Sequence, residues 1–142
     1  MTTVAYRDGV LAADSRFMVN GWKQPHPAKK LFRMKDGAVC AVTGDYAISV
    51  EFVRWLDGDR AQPAPQLGDM GRVIHMAKDG TLTIYEMSGS FEVSCEFTAF
   101  GSGSPAAQAA MYMGADAIKA VEIAALLDDA TGGNVCHMKC EE

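Results

Sequence analysis

Three charged positions in this 142-residue chain sit where local preference argues against them, and they limit the chemistry it can do. Asp14 closes the run Val-Leu-Ala-Ala-Asp, although aspartate is depleted in strands and burial raises a carboxyl pKa unless a cation stands beside it. Lys30 heads the apolar run Leu-Phe-Arg-Met, where alternation turns Lys29 and Lys30 to opposite faces and leaves one of them inward, in need of an anion. The two answer each other, since stranding one buried charge of such a pair costs about 3–5 kcal/mol. A turn aspartate and a lysine guarding a strand edge are the plainer alternatives. The third position is Asp128, followed by Asp129, in Leu-Leu-Asp-Asp-Ala-Thr-Gly-Gly: two acids at a helix end that already carries partial negative charge. A glycine cap at Gly132 accounts for the glycine and leaves the acids unexplained.

Two further motifs have chemical potential and a structural reading. In Phe-Gly-Ser-Gly-Ser-Pro-Ala-Ala, Ser104 is placed to cap a helix and Pro105 to occupy its first turn. A phosphate cradle would need the lysine of a P-loop, so a structural turn is the reading taken. Cys136-His137-Met138-Lys139-Cys140 has ligand chemistry but no second Cys/His pair at ligand spacing, which leaves a last strand with buried thiols. Neither a metal nor a cofactor is expected.

The elements that must hold these residues follow from punctuation and periodicity. Of four Asp-Gly pairs, those at Asp8-Gly9, Asp36-Gly37 and Asp79-Gly80 separate β-favouring runs and predict hairpins. Ser-Phe-Glu-Val-Ser-Cys-Glu-Phe-Thr-Ala-Phe, residues 90–100, continues as one more strand. Helices are predicted from Tyr46 to Leu56 and from Pro105 to about Asp129, the second broken near Gly114. Ala120, Ile123, Ala124 and Leu127 share its buried face. Residues 57–69 form a loop, not a boundary, so residues 1–142 make a single, antiparallel-rich, layered α+β domain.

Composition excludes several partners. The net charge of -5, with no Lys/Arg block longer than Lys29-Lys30, argues against a nucleic-acid groove or an anionic membrane. No apolar run approaches the roughly eighteen residues of a spanning helix, and the N-terminal residues lack signal-peptide character, so a cytoplasmic protein is expected. Four irregularly spaced cysteines fit a reducing compartment.

Taken in order, TTVAYRDGVLAADSR, KKLFRM, AVTGDYA, GSGSPAAQAA and DDATGG resemble the motif blocks of proteasome β-type subunits and their bacterial relative, the HslV peptidase. These are N-terminal nucleophile hydrolases, and the resemblance runs from residue 2 to about residue 135. It implies a four-layer αββα sandwich of two antiparallel sheets flanked by helices. It also implies a threonine-type endopeptidase in which Thr2 is the nucleophile, exposed by removal of Met1, with Asp14, Lys30, Ser102, Asp128 and Thr131 completing the catalytic set. Thr131 stands where the family has serine. The oxyanion-hole N–H falls at Ala41, where the family has glycine, and the substrate side-chain pocket at Phe17, Ala28, Phe32, Val39 and Thr43. Implied partners are a peptide or unfolded-protein substrate, further copies in a homo-oligomer that could close into a ring, and an AAA+ ATPase unfoldase. The spacing from Thr2 to Asp14 is shorter than in typical members, and the region from Leu56 to Gly71 is reduced. A non-catalytic scaffold subunit and a hydrolase of small amides are the alternatives.

Overall fold

The computed structural model describes residues 2–140. The chain opens with β1 (Thr3–Arg7) and β2 (Val10–Ala13), paired antiparallel across Asp8-Gly9. Both turn residues have positive φ, 53° and 74°, the two-residue geometry whose twist suits a hairpin. A short hairpin follows, β3 (Met18–Val19) and β4 (Trp22–Lys23), turned at Asn20-Gly21 in the same way. The sequence reading did not anticipate it. Next come β5 (Leu31–Arg33), β6 (Val39–Thr43), helix α1 (Tyr46–Asp57), β7 (Arg72–Met76) and β8 (Leu82–Glu86). The hairpins expected at Asp36-Gly37 and Asp79-Gly80 are β5–β6 and β7–β8.

The run over residues 90–100 is not one strand. It divides into β9 (Gly89–Val93), which pairs with β8, and β10 (Phe97–Gly101), which pairs with β1 in the other sheet. Residues 94–96 carry the chain from one sheet to the other. Helices α2 (Ser104–Tyr112) and α3 (Ala117–Leu127) follow, broken around Gly114 at φ 102°, and β11 (Cys136–Lys139) closes the chain. Their ends differ from expectation. Gly103, not Ser104, is the cap of α2, and α3 ends at Asp128 in an extended conformation, not at a glycine. Leu127 is 75 % exposed and so lies off the buried face of α3, which is formed by Ala117, Ala120, Val121 and Ala124.

The sheets have the orders β10-β1-β2-β11 and β5-β6-β7-β8-β9, and every pairing within them is antiparallel. Side chains alternate across each strand, so each sheet has two faces to cover. Val4, Tyr6, Leu11 and Ala13 meet Leu31, Val39, Ala41 and Ile74 between the sheets. On the outer face of the first sheet, Ala5, Ala12 and Ala99 lie under the alanine-rich faces of α2 and α3, small side chains that let helix and sheet approach closely. On the outer face of the second, Cys40, Val42 and Val73 pack against Phe52, Val53 and Leu56 of α1. The result is a four-layer αββα sandwich. No helix among the described residues is long and apolar enough to cross a membrane.

Candidate active site

Asp14 lies one residue beyond β2, and its carboxylate collects four donors. Oδ1 accepts from the Lys30 ammonium at 3.0 Å and from the Thr3 amide at 3.1 Å. Oδ2 accepts from the amides of Gly132 at 3.0 Å and Arg16 at 3.3 Å. The Lys30 and Asp14 side chains are 4 % and 0 % exposed, so this is a buried ion pair with its acceptor lone pairs used. Burial pulls the Lys30 pKa below the ordinary lysine value, and the attraction and hydrogen bond of Asp14 oppose that without cancelling it. Lys29, the neighbouring lysine, is exposed, as alternation required.

A second chain of contacts starts at Thr3, the first residue of β1. Alternation turns Val4 and Tyr6 between the sheets and Thr3 and Ala5 toward the helices, which places Thr2 on the inter-sheet side with Val4. Thr2 is 4 % exposed. The Thr3 hydroxyl meets that of Thr131 at 2.8 Å, Thr131 donates to Asp128 Oδ2 at 2.6 Å, and Ser102 donates to the same oxygen at 2.6 Å. Burial raises the Asp128 pKa, but the hydrogen bonds from Ser102, Thr131 and the Ala130 amide outweigh it, and the net effect is a carboxyl held below its ordinary value. The two acids at the end of α3 now have a reason at Asp128: its carboxylate ties β10's exit to the loop after α3.

The glycines here are matters of space. A Cβ on Gly101, at φ 97°, would lie 1.8 Å from the Thr2 carbonyl oxygen, and one on Gly103 would lie 2.0 Å from the Thr3 hydroxyl. Gly132 does not cap α3; its Cα lies under the Arg16 guanidinium, where a Cβ would come within 2.4 Å. Arg16 also donates to the Asp129 carbonyl, fixing the same loop. Thr3, Arg16 and Gly103 escaped the sequence reading, and Gly132 was read there as a helix cap. Their parts are played by backbone amides and close approach, and only the glycine pattern carried any signal.

Ala41 does not serve as an open N–H donor. The Val42 amide donates to the Lys30 carbonyl at 3.0 Å, so alternation turns the Ala41 amide the other way, into the β6–β7 ladder opposite Ile74. Two steps past Val42 the amide of Gly44 faces the same side as that of Val42, and no hydrogen bond among the described residues uses it. Gly44 has φ 78°, and a Cβ there would lie 1.5 Å from the Met70 carbonyl oxygen, so the position requires glycine. Gly44 and Thr43 line an open cavity of about 460 Å³ together with Gly101 and Ser102.

The five pocket candidates do not gather. Thr43 lines that cavity, Phe17 stands between His26 at 5.2 Å and Tyr46 at 5.8 Å, and Ala28 borders a separate cavity of about 160 Å³. Val39 is wholly buried between the sheets, and Phe32 lies on the opposite face, against the α1 layer and beneath Lys29. Tyr46, overlooked in the sequence, donates its hydroxyl to the Lys29 carbonyl at 2.8 Å and ties helix α1 to the segment that leads through Lys30 into β5. At the other end of the chain, Cys136 is exposed on the edge strand β11, so the expectation of buried thiols fails there.

No family model and no curated protein sequence matches the chain. Solved structures do. BPH from Thiobacillus denitrificans is 21 % identical over 99 % of this chain and 98 % of its own, with a TM-score of 0.69. The same protein in complex with epoxomicin is 22 % identical over 99 % of each chain, with a TM-score of 0.64. HslV from Trypanosoma brucei is 16 % identical over 96 % of this chain and 97 % of its own, with a TM-score of 0.73. The chain therefore has the fold of proteasome β-type subunits and HslV, end to end.

Proposed function

We propose that this protein is a threonine-type peptidase whose nucleophile is Thr2, freed for reaction by removal of Met1. Met1 lies outside the described residues. The observation that carries the reading is the sharing of one oxygen, Asp14 Oδ1, by the Lys30 ammonium and the amide of the residue after Thr2. A buried cation beside the first strand's start lowers the pKa of a neighbouring hydroxyl and amine by its field. Epoxomicin bound to the similar BPH is in keeping with peptide-like substrates.

The chemistry needs no added cofactor. The freed α-amine of Thr2, with a reference pKa of about 8, takes the hydroxyl proton as Oγ bonds to the substrate carbonyl carbon. The oxyanion is met by an amide, for which Gly44 replaces Ala41, a donor of a kind worth roughly 2.7–4 kcal/mol in a comparable enzyme. The amine then gives its proton to the leaving nitrogen as the C–N bond breaks, leaving an ester on Thr2. Water attacks that ester, its proton passing to the amine, and the acid product departs as Oγ recovers its proton. Ser102, Asp128 and Thr131 orient the amine. The working form is a homo-oligomer, fed unfolded chains by an ATPase partner where folded proteins are the substrates.

The test is the intact mass of freshly purified protein before and after incubation with epoxomicin. The expected result is loss of Met1 and a single adduct that a Thr2→Ala variant does not form. A protein that lacks Met1 and still forms no adduct would refute the nucleophile.

A further inference from the structure

The cavity of about 160 Å³ borders Asp14 and Lys30 and shares no lining residue with the one that holds Gly44 and Ser102. Asp14, Lys29 and Lys30 border it, its walls are Ala13, Ala28 and Leu31, all buried, and its rim is Met138 with the exposed Cys136 on β11. It opens between the edge strand β11 and β5, so it is reached from solvent without passing Thr2 or Ser102. We propose that this cavity is a binding site for a small, neutral, ring-sized apolar molecule.

The lining decides the class of ligand. Both Asp14 oxygens are already engaged, by Lys30, Thr3, Arg16 and Gly132, and no buried side-chain nitrogen or oxygen among the described residues lacks a partner. A polar or charged ligand would give up its water for walls that are almost entirely carbon, a loss that an apolar ligand does not suffer. Lys29 and Lys30 both border the space and oppose a cation. The size fits a single ring, since an apolar cavity of roughly 150 Å³ elsewhere takes benzene. Binding there does not rest on the peptidase reading.

Cys136 at the rim permits a test on the full chain that needs no activity. The protein is equilibrated with equal amounts of bis(2-phenylethyl) disulfide and bis(2-hydroxyethyl) disulfide, so that each thiol exchanges into a mixed disulfide and releases one small thiol. Peptide mapping then gives the ratio of aryl to hydroxyethyl cap at each site. Cys95 is also exposed and borders none of the cavities described, so it supplies the reference ratio. Cys40 is buried with its thiol pushed up to about 12 and does not compete. The expected aryl preference at Cys136 is about tenfold above that at Cys95, the effect of sheltering one ring from water. Equal ratios at the two cysteines would overturn the site. In Ala28→Leu the added side chain occupies the space, and the Cys136 ratio should fall to that of Cys95. If Ala28→Leu does not fold, benzene titration replaces it: benzene should raise the Tm of the wild type and not of the aryl-capped protein. A benzene shift of equal size in both would count against the cavity.

Discussion

Asp14 is the residue on which most of the site depends, because its two oxygens hold Lys30, the start of β1 and the loop after α3 together. Removing it alone leaves a buried ammonium without a partner. Asp14→Ala is expected to lose about 3–5 kcal/mol in urea unfolding, and Asp14→Ala/Lys30→Met to recover most of that loss while remaining inactive. Losses that simply add would mean the pair is not coupled. Asp128 makes a different, pH-dependent contribution. Its folded pKa lies below the ordinary 3.8, so its stabilisation is full above that value and disappears as pH falls through the folded pKa. Urea midpoints measured from pH 5 down to pH 2 should therefore converge for wild type and Asp128→Asn at the acid end and separate above about pH 4. Lys30 acts in the same direction in an alkaline window: its folded pKa lies below 10.5, so between the two values the unfolded chain binds more protons. Its contribution to stability rises with pH toward 10.5, and Lys30→Met should remove that slope.

At the scale of elements, the turns between β10 and α2 and between α3 and β11 shape the site by letting backbone come close. Gly9 and Gly101 both have positive φ, 74° and 97°, yet a Cβ at Gly9 meets open space and one at Gly101 meets the Thr2 carbonyl. Gly9→Ala should cost only the left-handed penalty of about 1–2 kcal/mol. Gly101→Ala should cost at least about 1–3 kcal/mol more, from overpacking, and should abolish epoxomicin labelling by displacing Thr2. Equal losses in thermal unfolding would contradict this account. Much of this layer was legible in the sequence: three Asp-Gly hairpins, α1 and the break at Gly114 were marked by turn residues and periodicity, and the Asp14–Lys30 pairing by two charges that each had a plainer reading alone but answered each other. The β3–β4 hairpin was missed because its strands are two residues each, too short to alternate, although Asn20-Gly21 carries the turn signal. The division of residues 90–100 was missed because Phe91, Val93, Cys95 and Phe97 keep period two straight through a change of sheet. The open amide was assigned to Ala41, not Gly44, because ladder direction depends on which neighbour a strand faces, and composition does not record that.

For the molecule as a whole, the question is whether one chain can restrict what reaches Thr2. The cavity holding Gly44 and Ser102 opens to solvent, and Ser102 is itself exposed, so a single copy has no wall that would turn away a folded protein. A peptidase of this design needs further copies to enclose the site, whereas a hydrolase of small amides does not. Apolar side chains stand uncovered at both ends of the helical layer, Tyr112 at 80 % and Met113 at 89 % where α2 meets α3, and Leu126 at 79 % beside Asp128. A neighbouring copy could cover these side chains. Sedimentation velocity at micromolar concentration is therefore expected to show a species several times the monomer's mass, with peptide hydrolysis confined to those fractions. Activity that sediments with a monomer would leave the chemistry at Thr2 in place and transfer the substrate from polypeptides to small amides, because nothing would then stand between the cleft and the surrounding proteins.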